Sequence, residues 1–248
     1  MEEVTGPETR SANIRLSIYG EPLSIRADVS TGNTSVRKML PIFRDICGSI
    51  IDATVKHVND AGRSVTCSAG CGACCRQMVP ISPVEAHLLM DIVDGLPEKE
   101  KSTIKARFKA AIDRMEEAGL MSQLRQPIKP VGPEYKQLGL RYFEQGVPCP
   151  FLEDESCSIH PERPLVCREY LVVSDPDNCK RKNSKPIEAI KMPSEASKAL
   201  TSIDGPTEFT NWVPLILALE WAEQNPETET PRPGTDIAAR FFETLTGR

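Results

Sequence analysis

The stretch Cys67-Ser-Ala-Gly-Cys71-Gly-Ala-Cys74-Cys75 places four cysteines within nine residues. A second group follows, which consists of Cys149, Cys157, Cys167 and Cys179. Thiolates bind zinc, copper(I) and iron–sulfur clusters, and short spacings allow one loop to present several sulfurs to one centre. The eight cysteines therefore predict a metal site, and we expect the fold to be built around it.

Composition and charge narrow the class of protein. The chain has 248 residues, 40% of them hydrophobic, which is enough for a real core, so the cysteines are not needed to rescue a small fold. A net charge of −5 and 5% aromatic residues argue against a nucleic-acid binder. The N-terminal segment lacks a basic region followed by an apolar run. The longest apolar stretch, near Val213–Leu219, is too short to cross a bilayer.

We therefore expect a cytoplasmic protein with neither a nucleic-acid nor a membrane partner. Thiols stay reduced in the cytoplasm, where clustered cysteines bind metal more often than they form disulfides. The odd total of nine cysteines also fits poorly with a fully disulfide-bonded protein. Structural disulfides and a catalytic dithiol are the alternatives.

Hydrophobic periodicity predicts the N-terminal structure. Apolar residues alternate with polar ones on both sides of Gly20-Glu21-Pro22, which is typical of a β-hairpin with one buried face. The alternating residues are Ile14, Leu16 and Ile18, then Leu23, Ile25, Ala27 and Val29. From about residue 35 to 61 the period becomes helical. Cys47 lies on the apolar stripe of this helix and is predicted to be a core residue.

The remainder of the chain reads as helix-rich with a few short strands. Ser82-Pro83-Val84-Glu85 has the pattern of a capping box and predicts a helix to about residue 94. Further helices are expected at 98–119, 133–145, 161–170, 193–203, 211–224 and 236–246. We expect a loop at 120–133, a tight hairpin around 153–156 and a proline-rich linker at 226–234.

The predicted fold class is α+β and helix-rich, a single compact domain built around a cysteine-ligated metal site, with an N-terminal β-hairpin. Three consecutive regions are expected within it. Residues 1–62 form the hairpin and long helix, residues 63–182 the cysteine-cluster metal-binding core, and residues 183–248 a helical extension.

The first cysteine loop carries the sharpest local signal. Gly70 and Gly72 permit tight turns that direct backbone amides toward sulfur. Cys75 directly follows Cys74, and neighbouring side chains diverge, so the pair is expected to serve two centres or to bridge within a polynuclear cluster. The alternative is that Cys75 is a buried residue without a ligand role.

The second group has wider spacings, which only the tertiary fold can bring together. Eight sulfurs fit two four-thiolate sites, or one cluster with spare cysteines. Such sites are negatively charged, and Arg76, Arg163 and Arg168 lie close enough in sequence to offset that charge. Ordinary surface arginines are the alternative. His160 is either a ligand or, as we favour, a polar turn residue; His57 and His87 read as structural.

Here a family resemblance becomes specific. CSAGCGACC followed by RQMVPIS, then CPFLEDESCSIHPERPLVCREY and Cys179, resembles the YkgJ-like cysteine-cluster family, whose proteins are described as zinc- or iron-chelating. The resemblance covers roughly residues 65–180. It implies that the metal ligands are Cys67, Cys71, Cys74, Cys75, Cys149, Cys157, Cys167 and Cys179. One relative is a flagellin lysine N-methylase, but the shared part is the cysteine cluster and not a methyl-donor pocket.

Three functions compete at this point. The first is a metal-binding module with a structural, redox or metal-sensing role. The second is an S-adenosylmethionine-linked enzyme, since Cys67-x3-Cys71-x2-Cys74 matches the cysteine spacing of radical enzymes that use this cofactor. The residues after Cys74 lack the strand–helix alternation of a barrel, which weighs against it. The third is a zinc-ribbon-like interaction scaffold.

Whether the chain is an enzyme, and whether it has a protein partner, stays open at the level of sequence. No G-x-G-x-x-G, P-loop or G-x-S-x-G motif supports another reaction. The adjacent cysteines and the eight-thiol total favour an iron–sulfur cluster slightly over zinc as the bound cofactor.

Overall fold

The computed structural model describes residues 9–126, 131–180, 186–203, 211–227 and 231–247. The protein is helix-rich, with 54% helix, and it begins with the expected antiparallel hairpin. Strands β1 (Thr9–Ile18) and β2 (Glu21–Ser30) pair so that Ile14 lies opposite Ile25 and Leu16 opposite Leu23. The helix-rich class and the N-terminal hairpin are therefore confirmed.

Helix α1 (Val36–Asp60) occupies the predicted range. Its N-terminal Ser35 accepts a hydrogen bond from the backbone N–H of Lys38, which satisfies one of the free amides of the first turn. Pro41 is the sixth residue of the helix, so its missing N–H removes one intrahelical hydrogen bond. The following Gly62 has φ +74°, a conformation that favours glycine and ends the helix.

The other elements are mostly short. Within the described residues the helices are α2 (Pro83–Asp94), α3 (Glu98–Glu117), α4 (Met121–Leu124), α5 (Pro133–Phe143), α6 (Leu165–Glu169), α7 (Ala196–Thr201), α8 (Ala218–Gln224) and α9 (Gly234–Thr246). Two-residue strands pair as β3 (Asn33–Thr34) with β8 (Arg232–Pro233), β4 (Pro80–Ile81) with β7 (Val213–Pro214), and β5 (Leu152–Glu153) with β6 (Ser156–Cys157). No helix among these is long and apolar enough to cross a membrane.

Several segments differ from the sequence prediction. The expected loop at 120–133 contains α4, because Leu120, Met121 and Leu124 are apolar and buried. The expected helix at 211–224 starts as strand β7, since Pro214 has no N–H for a helix, and becomes helical only after it. Part of the expected linker at 226–234 is strand β8, and residues 228–230 of it lie outside the described residues.

The expected helix at 161–170 is split by Pro164. A 3-10 turn covers His160–Glu162, and α6 begins after the proline. The predicted helices at 133–145 and 193–203 are present but shorter. The hairpin around 153–156 is confirmed by the pairing of β5 with β6.

Two groups of buried apolar side chains form the interior. One joins the inner face of the hairpin to α1, α7 and α9, and Phe43 stacks on Phe241 within it with ring centroids 4.1 Å apart. The other joins α2, α3, α4 and α5 to the segment 212–219, and Phe108 packs edge-on against Phe151. The second cysteine segment follows α5 and contributes Phe151 and Ile159 to this core.

Glu85 ties two of these elements together. Its Oε2 accepts hydrogen bonds from the backbone N–H (2.9 Å) and hydroxyl (2.8 Å) of Ser82, and its Oε1 accepts one from the backbone N–H of Leu165 (2.7 Å). The carboxylate is buried, 4% exposed. A glutamate predicted only as a helix cap therefore also fixes the start of α6, which carries Cys167.

Replacing Glu85 tests this connection. Glu85→Ala leaves three buried donors without their acceptor, so we expect a loss of about 2–4 kcal/mol in the free energy of unfolding. Glu98→Ala, at the exposed start of α3, is the control and should stay within about 0.5 kcal/mol of the unmodified protein. Equal stabilities of the two variants in denaturant titration would contradict this role.

Candidate metal centre

The first cysteine loop is shaped by its backbone. The N–H of Cys71 donates to the carbonyl of Ser68 at 3.1 Å, and Gly70 between them has φ +81°. A 3-10 turn over Ala73–Arg76 follows, in which the N–H of Cys75 donates to Gly72 at 3.0 Å. This turn presents Cys74 and Cys75 to the second cysteine segment.

Backbone contacts join the first loop to the second segment. The N–H of Cys149 donates to the carbonyl of Cys75 at 2.6 Å, and that of Thr66 donates to the carbonyl of Val172 at 3.0 Å. Gly72 packs so closely that a Cβ there would meet Leu152 Cδ1 and Glu155 Oε2, each at 2.7 Å. Gly72 is therefore required by the close approach of the two cysteine segments.

Five cysteines line one cavity of about 110 Å³: Cys74, Cys75, Cys149, Cys157 and Cys167. They come from the 3-10 turn, from the segment before β5, from β6 and from α6. The rest of the wall is largely apolar, formed by Met78, Val79, Pro80, Phe151, Ile159, Pro164, Val166 and Leu215. The polar wall residues are Gln77, Arg163 and Tyr170. We call these five cysteines the inner group.

The remaining three cysteines form an outer group on the other side of the 3-10 turn. Cys179 is buried and packs with Cys71, Ala73 and Val172, whereas Cys67 is exposed. Burial raises the pKa of Cys179, and negative charge on Cys67, Cys71 and Cys74 would raise it further. Cys74 therefore lies close enough to interact with both groups.

Three thiols of the inner group, those of Cys149, Cys157 and Cys167, are poorly suited to carry charge without a cation. Burial raises the pKa of Cys149 to about 12 and that of Cys167 well above its usual value. The backbone N–H groups of Phe151 and Ile159 interact with the sulfurs of Cys149 and Cys157 and oppose the increase in pKa that burial causes. Metal binding requires thiolates, so a bound cation would supply the missing charge and release protons.

Cys74 and Cys75 both line this cavity. Interaction with the Cys75 thiol lowers the pKa of Cys74, and the same interaction raises the pKa of Cys75. That the two neighbours serve two centres, or bridge within one cluster, stays a prediction.

The three arginines near the cysteines differ in their contacts. Arg76 donates to Glu155 Oε2 at 3.0 Å and Oε1 at 2.6 Å. Arg168 donates to the carbonyl of Arg163 at 3.1 Å and also to that of Pro161. Arg163 lines the cavity, and its Nε is buried without a hydrogen-bond partner. Of the three, Arg163 is the one that faces the inner thiols.

The histidines and Cys47 lie elsewhere. His160 is exposed in its 3-10 turn and does not line the cavity, His57 stacks on Tyr19, and His87 packs edge-on against Trp221. Cys47 is on the buried face of α1, with its Sγ 3.9 Å from Glu169 Oε1. All nine cysteines are free of disulfides.

The thiols do not yet form the coordination sphere of a single ion. Within the described ranges, no three His, Cys, Asp or Glu side chains form a group that could hold one metal ion as they are placed. The cysteine-ligated site expected from the sequence therefore stays a proposal. Several cysteines that line one cavity nevertheless match the donor chemistry of a polynuclear group.

Some residues of this site had no local signal in the sequence. Leu215 reaches the cavity from beyond strand β7, and its N–H donates to the carbonyl of Val79 at 2.9 Å. Gln77 donates to the hydroxyl of Tyr170 at 3.4 Å across the same wall. Only the packing of distant segments reveals these residues.

The family comparison agrees with the cysteine pattern. A model of the CxxCxxCC family, described as a "putative zinc- or iron-chelating domain", matches residues 66–189, which is half of the chain. No curated protein and no solved structure matches the chain. The matched range includes both cysteine groups and supports a metal-binding role.

Two glycine substitutions test the packing between the cysteine segments. Gly72→Ala places a Cβ against Leu152 and Glu155, so we expect it to destabilise the protein by about 1–3 kcal/mol and to lower its metal content. Gly48→Ala, within α1 where a Cβ meets nothing within 4 Å, should instead stabilise it by about 0.5–1 kcal/mol. Thermal unfolding and metal analysis of both variants check this, and an unchanged Gly72→Ala protein would contradict it.

Proposed function

The chain belongs to the CxxCxxCC family, and we propose that it is a metal-binding protein whose eight clustered cysteines are the ligands. One observation carries the proposal: five cysteines from separate segments line a single cavity with apolar walls. Burial of this many thiols is costly if they must ionise alone, and a metal cation is the partner that offsets this cost.

We assign the eight ligands to two centres. Cys75, Cys149, Cys157 and Cys167 form the inner centre, because all four line the cavity. The outer centre consists of Cys67, Cys71, Cys179 and the shared Cys74. Cys74 interacts electrostatically with the thiols of both groups, and it is assigned to the outer centre because four thiolates already complete the inner set.

The space between the inner thiols favours an iron–sulfur cluster over a single zinc ion. Zinc binds four thiolates at about 2.3 Å, which draws the sulfurs together and leaves no room between them. The cavity that the inner cysteines help to line has a volume of about 110 Å³, whereas one water molecule needs only about 10–15 Å³. A polynuclear cluster would fill such a volume without closure of the walls.

A fully thiolate-ligated centre points to a structural, redox or metal-sensing role. An iron–sulfur cluster, when bound, supplies reversible one-electron chemistry. The protein supplies the rest: the apolar wall limits access of water, and backbone N–H groups from Phe151 and Ile159 stabilise the negative sulfurs. Direct activation of a substrate would require an open metal position, which eight cysteine ligands do not leave.

Metal content after purification without oxygen is the first test. We expect iron with acid-labile sulfide and a visible absorption spectrum. Cys71→Ser and Cys167→Ser should each lower the metal content and the melting temperature together, because metal binding contributes to folding. Cys47→Ser is the control and should keep the full metal content, since Cys47 lies on the buried face of α1. Zinc without sulfide would rule out the cluster, and folded protein without metal would rule out chelation.

The assignment to two centres is tested separately. Cys75→Ala should remove the inner share of the metal and Cys67→Ala the outer share, so that each variant retains roughly half of the total. Electron paramagnetic resonance after reduction, together with metal analysis, should show complementary losses in the two variants. Identical loss of all metal in both would indicate a single centre.

A further inference from the structure

We propose that Arg163 supplies positive charge to the thiolate centre, and that its buried Nε–H donates to the sulfurs of the inner group when metal is present. The inference rests on the proposed metal-binding function. It adds a residue that is not itself a ligand, and it assigns that residue the task of offsetting the negative charge that thiolate ligands bring into the protein.

The position of Arg163 is the first argument. It lines the same cavity as the five inner cysteines. Its positive charge lowers the pKa of Cys74 and opposes the increase in pKa that burial causes in Cys157. These interactions place the guanidinium within electrostatic reach of thiols from both the first loop and β6.

The second argument is an unused donor. The Nε atom of Arg163 is buried and has no hydrogen-bond partner. A buried donor without an acceptor costs free energy, and native proteins contain few of them. Within the described residues no carboxylate forms an ion pair with Arg163 either. A thiolate or cluster sulfur in the cavity would be a suitable acceptor for this N–H.

The neighbouring arginines already have hydrogen-bond partners. Arg76 donates two hydrogen bonds to Glu155 and a third to the carbonyl of Gly72, and Arg44 pairs with Glu162. Arg168 binds backbone carbonyls, one of which belongs to Arg163 itself and thereby fixes the backbone of that residue. Since Pro164 and the anchored N–H of Leu165 follow directly, Arg163 stands on a rigid segment.

Arg163 is therefore expected to destabilise the metal-free protein and to stabilise the metal-bound protein. Without metal, the buried Nε–H of Arg163 has no acceptor, which costs free energy. With metal, the same guanidinium faces a negatively charged thiolate centre and forms a charge-assisted hydrogen bond. A residue that merely supports the fold would stabilise both states.

The experiment uses the full chain with Arg163→Gln, Arg163→Lys and Arg163→Glu, each with and without metal. Metal retention is measured as the rate of loss to EDTA, and stability as the melting temperature. Arg163→Gln should lose metal roughly tenfold to a hundredfold faster, the equivalent of one charge-assisted hydrogen bond. Arg163→Lys, which keeps the charge, should stay within about threefold, and Arg163→Glu should be worst.

Arg76→Gln is the matched control, because it removes an arginine near the cysteines whose charge is already paired with Glu155. It should retain metal within about twofold of the unmodified protein. The metal-free Arg163→Gln protein should be at least as stable as the metal-free unmodified protein. If it is less stable, or fails to fold without metal, the role of Arg163 is structural and the proposal is wrong.

The outcomes also separate this proposal from the proposed function. If the unmodified protein binds neither iron with sulfide nor zinc, metal binding itself fails. If it binds metal and Arg163→Gln retains that metal equally well, only the role of Arg163 fails. Equal rates of metal loss from the Arg163→Gln and Arg163→Lys proteins would also contradict the proposal. Metal retention would then not depend on the positive charge at residue 163.

Discussion

The junction between the two cysteine segments is the constraint on which the site depends. The N–H of Cys149 donates to the carbonyl of Cys75, and Gly72 lies so close to Leu152 and Glu155 that a Cβ there would force these neighbours to shift. These contacts bring together thiols that are far apart in the chain. Because a cavity with several sulfurs exists only while the junction holds, integrity of the fold and ligand geometry are coupled.

The charge of the thiols is the second constraint, because close packing disfavours the ionised form that metal binding requires. Close packing buries the inner thiols, which raises the pKa of Cys149 and Cys167 and favours the neutral form. Ligation requires the thiolate, so the buried site needs positive charge from a metal, and we propose that Arg163 contributes more. Folding and metal binding in such a protein are expected to support each other, since the free energy of one adds to the other.

Both apolar cores include residues of the segment that carries Cys149, Cys157 and Cys167. Phe151 and Ile159 belong to the core around α2 and α3, whereas Leu165 at the start of α6 packs into the core around α1 and α9. Glu85 connects them through its hydrogen bond to the N–H of Leu165. Ligands anchored in two separate cores are fixed in position more firmly than ligands on one exposed loop, which suits a structural or electron-carrying centre.

From the sequence alone the hairpin, the long helix α1 and the capping box of α2 could be predicted, and the eight cysteines could be proposed as ligands. These features depend on residue chemistry and on periods of two or 3.6 residues, which are local properties. Only the tertiary structure decided that Cys74 and Cys75 face one cavity, that Arg163 rather than Arg76 faces the thiols, and that Val213–Pro214 is a strand paired with Pro80–Ile81. The reason is physical: such contacts join residues far apart in the chain, and their free energy comes from burial and packing that no local pattern encodes.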